Sequence, residues 1–93
     1  MIVSFKDKRA KELFEDLKPR GFPSDLICVA RRKLLMLDAA AVLQDLRNPP
    51  GNHLEALKRE RKGQYSIRIN DQWRICFRFE NGCAFDVEIL DYH

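Results

Sequence analysis

The sequence predicts an α+β fold of order β-α-α-β-β-β, in which an antiparallel sheet carries two helices on one face. Three observations lead there. As far as Ala41 the apolar residues recur at helical spacing, about 3.6 residues apart. The segment Asn48-Pro49-Pro50-Gly51-Asn52 then breaks the chain, because proline has no amide donor for a helix or a central strand. Beyond it the apolar period drops to about 2, the mark of strands with one buried face. With 93 residues the chain has room for one core, so residues 1–93 are expected to form a single domain.

The elements follow in order. Residues 2–5 suit a short strand. From Asp7 onward Ala10, Leu13, Phe14 and Leu17 line one side of a helix, which Pro19, Gly21 and Pro23 stop. Ser24 is a candidate N-cap for a second helix, with Asp25 in its first turn, where the helix dipole favours an acid. Leu26, Ala30, Leu34, Leu37 and Ala41 make the buried stripe of that helix. Three strands follow the proline break, in which Tyr65, Ile67 and Ile69, then Trp73, Ile75, Phe77 and Phe79, then Phe85, Val87 and Ile89 mark the apolar face. Asn70-Asp71-Gln72 and Asn81-Gly82 separate them, the second being a strong hairpin signal.

Alternation has a functional consequence. If Trp73, Ile75, Phe77 and Phe79 face the helices, Arg74 and Arg78 emerge on the other side, joined there by Arg68 and Asn70 from the neighbouring strand. An uncovered face lined with arginines is a candidate seat for a phosphate backbone. Solvent-facing strand positions also take arginine for solubility and edge protection, so the pattern alone leaves both readings open.

Charge and cysteine content narrow the classes. The formal charge is only +3, but it is unevenly spread. Lys6, Lys8, Arg9 and Lys11 crowd the start, Lys58, Arg59, Arg61 and Lys62 form a central basic block, and Glu80, Asp86, Glu88 and Asp91 gather near the end. Such a distribution suits a polyanion on one side and a different partner on another. Cys28, Cys76 and Cys83 are odd in number and lack C-x-x-C spacing, which argues against a disulfide framework or a zinc site and for reduced thiols. No stretch reads as a signal peptide or a membrane span, so a cytoplasmic protein is expected. Walker loops, dinucleotide fingerprints, H-E-x-x-H and nucleophile elbows are all missing.

What remains is a set of polar groups that could meet on the arginine face: Glu55, Lys58 and Arg61 before the strands, Arg68 and Arg74 on them, and Asp91, Tyr92 and His93 at the end of the last. RNA can be cut without a metal, since its own 2′-hydroxyl can attack the adjacent phosphate. The reaction needs a base for the hydroxyl proton, cations for the phosphoryl oxygens and an acid for the leaving 5′-oxygen. Histidine suits either proton role, arginine grips two phosphate oxygens at once, and tyrosine can stack on a base.

Several stretches also resemble a known family. Asn70-Asp71-Gln72-Trp73-Arg74-Ile75-Cys76-Phe77 resembles the N-x-x-W-R-I-x-F signature of HigB toxins, within the RelE/ParE superfamily. Leu54-Glu55-Ala56-Leu57-Lys58, with Arg61, Gly63 and Tyr65-Ser66-Ile67-Arg68-Ile69, is similar to their L-x-x-L-K…R-x-G-x-x-S-I segment, and Asp91-Tyr92-His93 to their D-Y-H tail. Leu37-Asp38-Ala39-Ala40 and Arg47-Asn48-Pro49-Pro50-Gly51-Asn52 are similar to the GraT branch in particular.

The resemblance implies a RelE-like fold and a type II toxin that cuts mRNA in the ribosomal A site with neither metal nor cofactor. A HigA-like helix-turn-helix antitoxin would silence it, and operator DNA would be met only through that antitoxin. By position, Arg74 is expected to stabilise the phosphate and Lys58 to supply a second cation, with Asp91, Tyr92 and His93 as acid/base and positioning groups. Arg59, Arg61, Lys62, Arg68 and Arg78 are expected to hold RNA. Several HigB toxins carry a histidine where this chain has Glu55, with His53 two residues earlier, so the base is Glu55 or His93. Two other readings stay open: a ParE-like inhibitor of DNA gyrase without enzymatic activity, and an inactive member that only binds its antitoxin.

Overall fold

A computed structural model describes residues 1–91. Two helices, α1 (Lys8–Phe14) and α2 (Ile27–Ala39), precede a four-stranded antiparallel sheet of β1 (Glu55–Ala56), β2 (Gln64–Arg68), β3 (Trp73–Glu80) and β4 (Cys83–Asp91). Spatial order equals sequence order, β1-β2-β3-β4. Short 3₁₀ turns at Ser24–Leu26, Leu43–Arg47, Pro50–Asn52 and Arg59–Arg61 join these elements. The α+β class and the two helices on one face agree with the expectation; several details of the elements do not.

The first strand shrinks to two isolated bridges, Ile2 to Ala84 and Phe5 to Val87, and they run parallel to β4 rather than antiparallel. Backbone bonds from Val3 to Ala84 and from Lys6 to Val87 hold it there. β1, conversely, was not expected: Glu55 pairs with Ser66 and Ala56 with Tyr65, adding a two-residue edge beyond β2.

Helix α1 begins where Asp7 accepts a bond from the Arg9 amide at 2.9 Å, and it stops at Phe14. Leu17 is therefore outside the helix and half exposed, not part of its buried stripe. Ser24 does not cap α2. It opens the 3₁₀ turn, and α2 starts from Leu26 without a side-chain cap. Nor does Ala41 extend the stripe, since α2 ends at Ala39 and the Ala41 and Val42 amides turn to the Asp45 carboxylate at 2.9 and 3.2 Å.

The core lies between the helices and the sheet. Leu13, Ala30, Leu34 and Leu37 meet Ile67, Ile75, Phe77, Val87 and Ile89, all at most 1% exposed. Truncating one such leucine to alanine costs about 2–5 kcal/mol through lost burial and the cavity left behind.

One phase error in the last strand matters for the open face. Cys76 pairs with Glu88 but Arg78 with Phe85, so Phe77 alone stands opposite both Asp86 and Val87. Asp86 takes up the extra residue at a left-handed φ of 55°. The bulge exchanges the faces on its N-terminal side: Ala84 is buried among the core residues, and Phe85 emerges with the arginines.

Candidate active site

Register sorts the open face into three rows. Glu55, Ser66, Cys76 and Glu88 form the middle row, Arg68, Arg74 and Leu90 one flank, and Gln64, Arg78 and Phe85 the other. Arg68 and Arg74 are direct cross-strand partners, an arrangement that repels unless the two charges are drawn apart. They are drawn apart. Arg68 reaches Asp71 in the loop, while Arg74 leans over the middle row.

Arg74 is the most embedded arginine on this face, with its side chain 12% exposed. Its Nε donates to the Ser66 hydroxyl at 2.8 Å, and Nη2 donates to the His53 carbonyl at 2.6 Å and to the Ser66 carbonyl at 3.5 Å. The Glu55 carboxylate, largely exposed, lies 4.0 Å from Nη2. Three neutral acceptors thus fix the guanidinium, and the Glu55 carboxylate stands beside it on the same face.

The other predicted cations are placed differently. Arg61 extends over the sheet to Glu88 at 3.2 Å and to Gln64 at 3.3 Å, and Lys6 approaches the same Glu88 carboxylate at 3.7 Å. Arg78 pairs with Asp86 at 3.0 Å and Glu80 at 3.9 Å, and lies over the Phe85 ring. Lys58, Arg59 and Lys62 are exposed on the turn before β2 and have no ion pair among the described residues. Lys58, Arg59, Glu60 and Arg61 line an open cavity of about 340 Å³ there.

Asp91 pairs with Trp73 in the register, so it leaves the sheet on the helix side, opposite to Arg74. Its carboxylate accepts from the Gln72 amide at 3.1 Å. Tyr92 and His93 lie outside the described residues. What holds the end of β4 is the start of α1: Asp7 accepts from the Ile89 amide at 3.1 Å, Arg9 donates to the Ile89 carbonyl at 3.3 Å, and the Arg9 guanidinium lies over Trp73. Beside it Lys8, Arg9, Glu12, Lys18 and Arg20 line a second open cavity of about 490 Å³.

Among the described residues no group of three or more His, Cys, Asp or Glu side chains is placed to hold a metal ion. No helix there is long and apolar enough to cross a membrane.

Sequence reasoning missed four contributors: Ser66, the His53 carbonyl, Asn52 and Lys33. Ser66 had a signal, since centring the Asn70–Asp71–Gln72 turn pairs Ile67 with Ile75 and so puts Ser66 on Arg74's face. Lys33 had one too, because it falls between Ala30, Leu34 and Leu37 on the buried stripe of α2. Its ammonium is buried and donates to the buried Asn52 side chain. Burial, with the Arg32 and Arg68 charges, holds the Lys33 pKa below its ordinary value. A backbone carbonyl such as that of His53 leaves no trace in side-chain patterns.

Comparison with known proteins gives concordant results. The HigB-like toxin family, described as RelE-like toxins of type II toxin–antitoxin system HigB, matches residues 3–93. Toxin HigB-1 of Vibrio cholerae serotype O1 is 44% identical over 94 residues, covering 100% of this chain and 98% of that protein. Endoribonuclease HigB of Proteus vulgaris is 38% identical over 93 residues, with both chains fully covered. Two solved structures share the fold at low identity. The YoeB–YefM complex from Staphylococcus aureus gives a TM-score of 0.63 at 17% identity, covering 100% of this chain and 98% of that one. YafQ from Escherichia coli strain BL21(DE3) gives 0.59 at 11% identity, covering 98% and 91%.

Proposed function

The chain belongs to the HigB-like family, the RelE-like toxins of type II toxin–antitoxin systems, and from that premise we propose that it cuts messenger RNA on the ribosome without a metal. It is a toxin with endoribonuclease activity, in keeping with its full-length relative from Proteus vulgaris. The observation that carries the rest is Arg74, locked by Ser66 and the His53 carbonyl with Glu55 at 4.0 Å.

The chemistry follows from that arrangement. A base removes the proton of the 2′-hydroxyl, whose oxygen attacks the adjacent phosphorus. The 5′-oxygen leaves with a proton from an acid, and a 2′,3′-cyclic phosphate remains. Arg74 holds the charge that builds on the phosphoryl oxygens, and Lys58 approaches from the turn before β2 as an exposed second cation. Glu55 shares the face and is the base on this reading, with Tyr92 and His93 supplying stacking and the acid. Asp91 orders the strand end through Gln72 on this reading.

Ribosome dependence is part of the proposal. The face is small and open, so orientation of the RNA must come from a larger body. Lys58, Arg59 and Lys62, unpaired among the described residues, and the Lys8, Arg9, Lys18 and Arg20 cavity suit ribosomal RNA. Arg61, Arg68 and Arg78 would reach phosphate by exchanging their carboxylates for it. An antitoxin partner accompanies the family; that it is HigA-like, with a helix-turn-helix that meets operator DNA, belongs to this proposal, as does a cytoplasmic location.

Primer extension on translated and untranslated mRNA tests the reading. Codon-phased cuts are expected only during translation, and Arg74→Ala is expected to lower the rate about 10²–10³-fold, or ~2.7–4 kcal/mol of transition-state stabilisation. Absence of phased cutting, with inhibition of gyrase supercoiling instead, would replace it by the ParE-like reading.

A further inference from the structure

We propose that Asn52 and Lys33 are positioning residues for Arg74, acting through the His53 carbonyl; this rests on the reading that Arg74 stabilises phosphoryl charge in RNA cleavage. Arg74's partners come from two places. Ser66 belongs to its own hairpin, whereas His53 and Glu55 belong to the segment that enters β1. The hairpin fixes Glu55 through its ladder pairing with Ser66, but no ladder pair sets the place of His53.

Asn52 fixes it. The side chain is fully buried in the proline turn, and its Nδ2 donates to the Leu46 carbonyl at 3.1 Å and the Asn48 carbonyl at 3.4 Å. Its Oδ1 accepts from Lys33 on α2, so both ends of the amide are used. The backbone on either side is pinned as well, with the Asn52 amide on the Pro49 carbonyl at 2.9 Å and the His53 amide on the Pro50 carbonyl at 3.1 Å. His53 then turns through a left-handed conformation, φ 44° and ψ 57°, which presents its carbonyl to Arg74 Nη2. A route of bonded groups therefore runs from α2 in the core, through Lys33 and Asn52, to the guanidinium on the open face.

Chemistry explains why a lysine–asparagine pair is suited to this. A buried ammonium without an acid partner must keep its acceptor, so Asn52 is held more firmly than a neutral pair would hold it. Displacement of a reacting group by an ångström costs about 10²-fold in rate, so the stiffness of the His53 segment bears directly on cleavage.

The test uses purified full-length toxin on ribosomes loaded with mRNA, in single turnover at saturating toxin, with half-saturation measured separately. Wild type, Asn52→Ala, Arg74→Ala and the double variant are compared, with thermal melts to confirm folding. Asn52→Ala is expected to lower the saturated rate about tenfold or more while half-saturation moves less than about twofold. The double variant should be no slower than Arg74→Ala alone, because Asn52 acts only through Arg74. Lys33→Met should fall on the same side as Asn52→Ala, and Lys33→Arg should recover part of the loss.

Multiplicative losses in the double variant, or an unchanged rate in Asn52→Ala, overturn the positioning role and leave Arg74's role standing. Full activity in Arg74→Ala overturns the underlying reading instead. Should Asn52→Ala fail to fold, Asn52→Asp carries the same comparison: it keeps the acceptor for Lys33 and loses both donations to the turn.

Discussion

Lys33 is the residue whose environment differs most from what its type prefers. It is 8% exposed, its acceptor is a neutral amide, and Arg32 and Arg68 add like charge. Its pKa in the folded protein lies below the ordinary 10.5, so between the two values the unfolded chain binds more protons than the folded one. Stability contributed by this group therefore rises with pH across that window, and below it the charged form carries the penalty. Urea midpoints of wild type and Lys33→Met on the alkaline side, approaching pH 10.5, should show the difference: the wild type gains on the variant as pH rises. Parallel curves would mean that Lys33 is not desolvated. Pattern made this residue findable, as a charge on an apolar stripe, but not its partner. Asn52 lies in a segment legible only as a break, and whether a turn residue is buried depends on what the rest of the chain folds over it.

Elements were legible wherever a periodicity ran uninterrupted. β3 needed only its alternation, and both its core and its arginine faces came out as expected. β4 did not, because a single extra residue at Asp86 inverts the side on which every earlier residue falls, and no local signal marks which residue of an Asp-rich strand will take a left-handed φ. The helix ends were misread for a different reason: Ser24 and Leu17 obey local preferences that the 3₁₀ turn and the loop at Asp16 override. At this scale Asp7 is the joint between the two halves of the chain. One carboxylate oxygen caps α1, and the other takes the Ile89 amide of β4. Asp7→Ala removes a cap and orphans a strand donor, for an expected loss of about 2–4 kcal/mol. It should appear as a lower urea midpoint at unchanged slope, whereas Asp7→Asn, which keeps two acceptor directions on one oxygen, should lose less.

For the molecule as a whole, the net charge of +3 conceals a division of labour among cations. Arginines over the sheet are paired with acids, while Lys58, Arg59 and Lys62 at one end, and Lys8, Lys18 and Arg20 beside α1, have no ion pair among the described residues. If the toxin works on the ribosome as proposed, its affinity there should depend on salt mainly through these six. Replacing Lys58, Arg59 and Lys62 by alanine is expected to flatten the plot of log affinity against log salt by about 2–3 units, while Arg78→Ala, already neutralised by Asp86, changes it by less than one. Equal slopes for both variants would contradict the division. The family and the fold were readable from ordered motifs along the whole chain. Which of its many arginines are already engaged was not, because ion pairs are made across strands whose register a linear pattern does not fix.

The pairing of Arg61, Arg68 and Arg78 with Glu88, Asp71 and Asp86 makes the open face its own competitor. On the proposed reading RNA reaches it by substitution: each phosphate bound there must evict a carboxylate, so the number of charge contacts hardly changes as the strand settles. The exposed pairs at Arg68 and Arg78 yield cheaply, at about 0–1 kcal/mol each, but they yield only to an anion delivered at the same spacing. A loose strand diffusing past has little to gain by the exchange. One held taut across the face, as the proposed ribosome dependence requires, can make all the swaps at once, so this face would favour presented RNA over free RNA.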